Sequence, residues 1–145
     1  MHLDMNKKPL ISVIMNCYNG ESFLKEAIES LLQQTYTNWE LVFWDNASTD
    51  QSKNILLSYG DKRIKYFCSV SHTGLGKARV EALKKAQGIY ITILDADDIW
   101  LKDKLSFQVD KMLSFSSPSK EVGLIYGRCE SFFEGSILKE TKTLP

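Results

Sequence analysis

Short apolar runs that alternate with helix-periodic segments constrain this chain more than any other feature of its sequence. LISVIM, residues 10–15, is almost uninterrupted, as expected for a strand buried on both faces of a parallel sheet. Phe23, Leu24, Ala27, Ile28, Leu31 and Leu32 then recur at helical spacing, with Glu21, Lys25, Glu26 and Glu29 on the other side. Leu41 to Trp44 predicts a second strand, and the cluster NASTD after it supplies caps for a helix through Ile55, Leu56 and Leu57 that ends near Gly60. Ile64 to Cys68 predicts a third strand. Leu75 to Ala86 predicts a helix with Ala78, Ala82, Leu83 and Ala86 on one face and Gly88 as its stop, and Tyr90 to Leu94 a fourth strand. A helix from about Asp103 to Phe115 and a strand VGLIYG from Val122 complete the order. This alternation is the signature of right-handed crossovers, and it predicts an α/β fold, doubly wound, with a mainly parallel sheet and helices on both faces.

At 145 residues the chain has the size of one domain, placed at 10–128 after a leader of residues 1–9. The tail 129–145 carries Phe132 and Phe133, then Gly135 and Ser136, and is expected to form a hairpin or the start of a further region. Lysine plus arginine (18) equals aspartate plus glutamate (18), so the chain lacks the net field that holds a polyanion, and no nucleic-acid partner is expected. Cys17, Cys68 and Cys129 form no C-x-x-C pair and, with His2 and His72 alone beside them, complete no zinc cage; they read as buried reduced thiols. No run approaches the roughly 18 apolar residues that span a bilayer, so no transmembrane segment is expected in this chain. The expectation is a cytoplasmic protein, with a membrane surface as an alternative place of work.

In an open parallel sheet, ligands settle beyond the carboxyl ends of the strands. Those ends read Asn16-Cys17-Tyr18-Asn19, Asp45-Asn46-Ala47-Ser48, Ser71-His72-Thr73-Gly74 and Asp95-Ala96-Asp97-Asp98, all polar. The last is the strongest signal, since three carboxylates within four residues repel one another unless a cation or donors offset the charge. Carboxylate oxygens suit Mg2+ or Mn2+. In an extended segment Asp95 and Asp97 would face one side, Asp97 holding the metal and Asp95 reaching the metal or a sugar hydroxyl. The alternative is that one of these aspartates caps the following helix. Asp45 sits where many nucleotide folds hold a ribose or base, although Asp-Asn pairs also form turns; Tyr18 could stack on a nucleobase or pack under its own loop. Gly74-Leu75-Gly76-Lys77-Ala78-Arg79 opens a helix with small residues and two cations, which suits a diphosphate, while a solvated helix face is the bland reading. No dinucleotide fingerprint and no Walker-type G-K-[ST] occurs.

Taken together, ISVIMNCYNG, SLLQQTYTNWELVFWDNASTD and GLGKARVEALKKAQGIYITILDADDIW resemble the nucleotide-sugar half of family-2 inverting glycosyltransferases with the Rossmann-like GT-A fold, from about Ile11 to Lys111. The resemblance implies that Asp95-Ala96-Asp97 is the family's D-x-D motif on a divalent ion bridging the donor diphosphate. It also implies that Asp45 and Tyr18 line the nucleoside pocket. Two positions depart from the family: Asn16 stands where proline or threonine is common, and Asn46 where a second aspartate is common. An amide can still accept from a uracil N–H but carries no charge, so uridine is a preference. The implied reaction transfers a sugar from a nucleotide-diphosphate donor to an acceptor hydroxyl with inversion. The acceptor is a glycan, a lipid-linked sugar or a protein, and the catalytic Asp or Glu base is expected beyond Pro145, past Glu130 and Glu134, so the chain would stop before the acceptor-binding half.

Two other classes fit less well. A phosphorylation-controlled receiver domain needs acidic residues at the first strand end, where this chain has Asn16-Cys17. A hydrolase with an aspartyl nucleophile would carry its D-x-D after the first strand, not the fourth. The remaining rival is a nucleotide-sugar-binding module without transferase activity.

Overall fold

The computed structural model describes residues 8–115, 123–127, 131–133 and 136–138. Four strands, β1 (Ile11–Cys17), β2 (Trp39–Asp45), β3 (Ile64–Cys68) and β4 (Tyr90–Ile93), form one parallel sheet in the order β3-β2-β1-β4. The two strands with continuous apolar runs take the centre. Every residue of β1 and β2 is buried except Asn16 and Trp44, whereas the edge strands β3 and β4 are only partly covered. Burial on both faces is what a run such as SVIM demands.

Helices α1 (Leu24–Leu32), α2 (Ser52–Ser58), α3 (Leu75–Leu83) and α4 (Lys104–Phe115) alternate with the strands. Side chains alternate along a strand, so Ile14 and Val42 share one face; there they meet Ala82 of α3, with Trp44, Phe67, Leu83 and Ala86 around them. Met15 and Phe43 point to the other face, and α1, which packs on α2, buries Leu24, Ala27, Ile28 and Leu31. The helix after β2 ends as expected, with Gly60 at φ +60° just past its C-cap Tyr59.

Three expectations need correction. Gly88 does not stop α3, which ends at Leu83; a Cβ on Gly88 would lie 2.5 Å from the backbone nitrogen of Ser12 and 2.8 Å from the carbonyl of Leu10. Only glycine admits that approach, and its N–H donates to Ser12 Oγ at 2.7 Å. Nor is Cys68 a buried thiol: it ends an edge strand and is exposed, while Cys17 is buried and Cys129 lies outside the described residues. Finally, Gly123–Gly127 of the run VGLIYG has no regular secondary structure, with Leu124 75% and Tyr126 80% exposed. Apolar patterning makes a strand only when a neighbouring strand completes its hydrogen bonds, and no strand pairs with these residues among those described.

The chain divides into two compact units, Met1–Phe107 and Gln108–Pro145. The second contains the rest of α4 and an antiparallel hairpin of β5 (Ser131–Phe133) and β6 (Ser136–Leu138), as the sequence suggested for this tail. The leader residues 1–7 and the acidic candidates Glu130 and Glu134 lie outside the described residues. Among the described residues, no helix is long and apolar enough to cross a membrane.

Candidate functional site

The carboxyl ends of the four strands converge on loops that are laced to one another. Asn19, at φ 52°, accepts from Thr49 N–H at 2.8 Å through its side-chain oxygen while its own N–H donates to Ser48 Oγ at 3.0 Å. Glu21 N–H donates to Asp50 Oδ2, and Gln51 N–H donates to Glu21 Oε2, both at 2.9 Å. Gly20 N–H donates to Ser52 Oγ at 2.9 Å. These bonds fix the β1–α1 loop on the β2–α2 loop. Burial works against the Asp50 charge, yet bonds from Ser52 and from the Glu21 N–H outweigh it and hold this carboxyl below its ordinary range. The sequence signal for the lacing was the run Ser48-Thr49-Asp50, read only as a source of caps.

The acidic residues sit on a turn closed by Asp98 N–H donating to the Asp95 carbonyl at 3.1 Å. The turn is tethered on both sides. Before it, Leu94 N–H donates to the Ile14 carbonyl at 3.0 Å; after it, Trp100 N–H donates to Ser30 Oγ at 3.1 Å and buried Gln34 bonds both Leu101 O and Leu105 N–H. A turn replaces the extended segment expected for Asp95 and Asp97. Asp98 does not cap α4 either, since that helix begins at Lys104. Partial burial, with the charges of Asp95 and Asp97, raises the Asp98 carboxyl above its ordinary range.

Arg79, expected to suit a diphosphate, and Asp95, expected to reach the metal or a sugar hydroxyl, face each other: Arg79 Nη2 donates to Asp95 Oδ1 at 2.7 Å, with the side chains 29% and 52% exposed. The Nε of Arg79 is buried and has no hydrogen-bond partner among the described residues. Lys77 is exposed in the first turn of α3, whose N-cap Gly74 provides no side-chain cap, so the amides of this helix start keep an open face.

The other candidates divide into two kinds. The Asn16 amide is buried with neither its oxygen nor its nitrogen partnered among the described residues, and Trp44, its register neighbour on β2, has an unpartnered Nε1. Asp45, 2% exposed, accepts from Ser48 N–H at 2.7 Å and from the Tyr66 hydroxyl at 2.8 Å; that bond, with burial, pushes the Tyr66 phenol up. A carboxylate has lone pairs beyond these two. Asn46 is different. Its Nδ2 lies 2.7 Å from Thr73 O and 3.2 Å from His72 Nδ1, and its Oδ1 accepts from Thr73 N–H and Oγ1, both at 3.1 Å. These bonds tie Asn46 to the loop after β3. His72, missed as a site residue in the sequence, lies against Tyr18 with ring centroids 3.9 Å apart.

Could the acidic turn hold a divalent ion? Its donors are hard oxygens, they are exposed, and three carboxylates carry more negative charge than the one guanidinium of Arg79 offsets. Among the described residues no three acidic, histidine or cysteine side chains gather closely enough to hold a metal by themselves. The set fits an ion of the Mg2+ type, which binds through one or two carboxylates and completes its shell with waters and substrate phosphates.

Residues 12–116 match the family described as glycosyl transferase family 2. The chain belongs to this family. Among relatives of this family-2 chain, UDP-Glc:alpha-D-GlcNAc-diphosphoundecaprenol beta-1,3-glucosyltransferase WfgD of Escherichia coli is 39% identical over 129 residues, covering 89% of this chain and 49% of that protein. Putative teichuronic acid biosynthesis glycosyltransferase TuaG of Bacillus subtilis is 40% identical over 113 residues, covering 77% and 45%. The chain thus spans about half the length of these curated relatives. Crystal structures of S. aureus TarS 1–349, one in complex with UDP and another with UDP-GlcNAc, share the fold with TM-score 0.66 and 33% identity, covering 70% of this chain and 32% and 31% of those chains. The parallel sheet with its helices shares the GT-A fold of these glycosyltransferases, as the resemblance implied.

Proposed function

We propose that this chain forms the donor-binding half of a glycosyltransferase that moves a sugar from a nucleoside-diphosphate donor, UDP-sugar preferred, to an acceptor hydroxyl with inversion. The observation that carries the reading is the tethered acidic turn Asp95–Asp98 beside the β1 end, where the buried Asn16 amide stands unpartnered. Tyr18, Asp45 and Asn16 line the nucleoside side. Lys77, Arg79 and the open start of α3 attract the diphosphate, and Asp97, with Asp95 once Arg79 has turned away, holds a Mn2+ or Mg2+ ion. Such an ion offsets the charge that develops on the leaving diphosphate. The acceptor oxygen forms the new bond to the anomeric carbon as the bond to the β-phosphate oxygen breaks, and that oxygen leaves with the electron pair. The hydroxyl proton goes to a general base, the role a carboxylate such as Asp or Glu suits. The names of the relatives support a UDP donor and, through the E. coli protein, a lipid-linked acceptor, which would suit a reaction at a membrane surface.

Calorimetric titration of UDP into the chain, with Mn2+ and with EDTA, tests the reading. Binding should require the metal, because the carboxylates repel a bare diphosphate. Asp97→Asn should weaken metal-assisted binding more than Asp98→Asn, with the fold of both confirmed by circular dichroism. Equal UDP affinity with and without Mn2+, or Asp98→Asn as the more damaging change, would refute the assignment. Sugar transfer measured separately from donor binding distinguishes the transferase from a binding module.

A further inference from the structure

Tyr18 follows β1 and His72 lies four residues beyond β3, yet their rings meet across the end of β2 with centroids 3.9 Å apart and planes tilted by 42°. This is not core packing: Tyr18 is 50% exposed and His72 is exposed as well. The imidazole is held at one edge. Its Nδ1 is 3.2 Å from Asn46 Nδ2 and 3.3 Å from the Asn46 carbonyl oxygen. Asn46 therefore offers that nitrogen a donor and an acceptor, so either neutral tautomer finds a partner and the ring keeps its orientation. Asn46 is buried and clamped in turn by three bonds with Thr73. A rigid chain of contacts thus runs from the β2 end through Asn46 and His72 to the phenol ring of Tyr18.

We infer that His72 is a positioning residue of the nucleoside site: it backs one face of the Tyr18 ring and leaves the opposite face for a planar base. This rests on the reading that Tyr18 lines the nucleoside pocket. An exposed tyrosine without a backing ring samples several rotamers and must be ordered when a base stacks on it; with His72 in place that ordering precedes binding. The loop after β3 therefore acts on the base through Tyr18, while the diphosphate interacts with the turn and α3.

The test compares UDP with inorganic pyrophosphate, both with Mn2+, by calorimetry on the wild-type chain and on His72→Asn, His72→Phe and His72→Ala. Asparagine can keep a bond to Asn46 but has no ring; phenylalanine keeps the ring and loses the bond. His72→Ala and His72→Asn should weaken UDP by about three- to ten-fold, leave pyrophosphate unchanged, and His72→Phe should restore UDP to within about two-fold. Tighter UDP binding by His72→Ala would overturn the inference, because the imidazole would then cover the face the base needs. Wild-type affinity in His72→Asn with loss in His72→Phe would overturn it in favour of the Asn46 bond, and equal weakening of both ligands would reduce His72 to a support of the loop. A wild-type chain that binds pyrophosphate and UDP equally would instead remove the nucleoside reading itself.

Discussion

Replacing Arg79 by alanine should change the affinity of the acidic turn in opposite directions for its two ligands. In the structure Arg79 Nη2 and Asp95 Oδ1 are 2.7 Å apart. Two unit charges with centres about 4 Å apart attract by roughly 4 kcal/mol at an effective dielectric of about 20. Asp95 is 52% exposed, so solvent screens the pair and its net worth falls to about 1 kcal/mol at most. An ion that takes Asp95 must displace or share that partner. Without nucleotide, Arg79→Ala should therefore bind Mn2+ up to about five-fold more tightly, and the gain should shrink at high ionic strength. With UDP the sign reverses, because the guanidinium released from Asp95 meets the diphosphate. Loss of such a charged hydrogen bond costs about 1.5 to 3 kcal/mol, or roughly ten-fold or more in UDP affinity. Electron paramagnetic resonance of free Mn2+, titrated with and without UDP, reads both quantities. Unchanged Mn2+ affinity in the nucleotide-free variant, or tightening of both ligands, would refute the exchange of Arg79 for the metal.

Two predictions concern the opposite end of the sheet. Glu40, buried on β2, accepts from the Ser12 hydroxyl, the Gln87 N–H and the Lys65 ammonium; burial works against its charge, but these bonds hold the carboxyl below its ordinary value of 4.5. A depressed carboxyl stabilises the fold above the unfolded value and loses that contribution as pH falls through the folded one. Glu40→Gln should thus cost about 2 kcal/mol at neutral pH and flatten the loss of stability below about pH 4.5, as urea melts across pH would show. Gly88→Ala should cost about 1 to 3 kcal/mol, because the added carbon meets backbone atoms of Ser12 and Leu10 that cannot move aside; an unchanged melting temperature would contradict that.

The sequence made the two central strands legible because a buried parallel strand has little choice but to be apolar. Their ends were less visible: Asn16 and Cys17 belong to β1 through register with Trp44 and Asp45, a partnership no local pattern reveals. The same holds for Gly88, whose place as a presumed helix stop hid a contact with Ser12, 76 residues away. At the site, residue type suggested chemistry but not pairing. Arg79 and Asp95 each looked like a ligand group, and only the fold brings them together. The partners of Asn46, His72 and Thr73, come from the loop after β3, which no local pattern around Asn46 reveals. His72 was read only as part of a polar strand end, because a lone histidine in a loop carries no further signal until Tyr18 is seen beside it. VGLIYG shows the reverse error, an apolar pattern without the neighbour that makes it a strand.

The central claim is that the turn Asp95–Asp98 joins the donor diphosphate through a divalent ion. Diffraction from crystals of the chain grown with UDP and Mn2+, recorded at the manganese absorption edge, tests it directly. The account predicts an anomalous peak within about 2.0 to 2.6 Å of an Asp97 carboxylate oxygen and of oxygens from the diphosphate, with Arg79 no longer on Asp95. Bound UDP with no manganese peak at Asp97, or a peak with the Arg79–Asp95 pair intact and the diphosphate elsewhere, would contradict it.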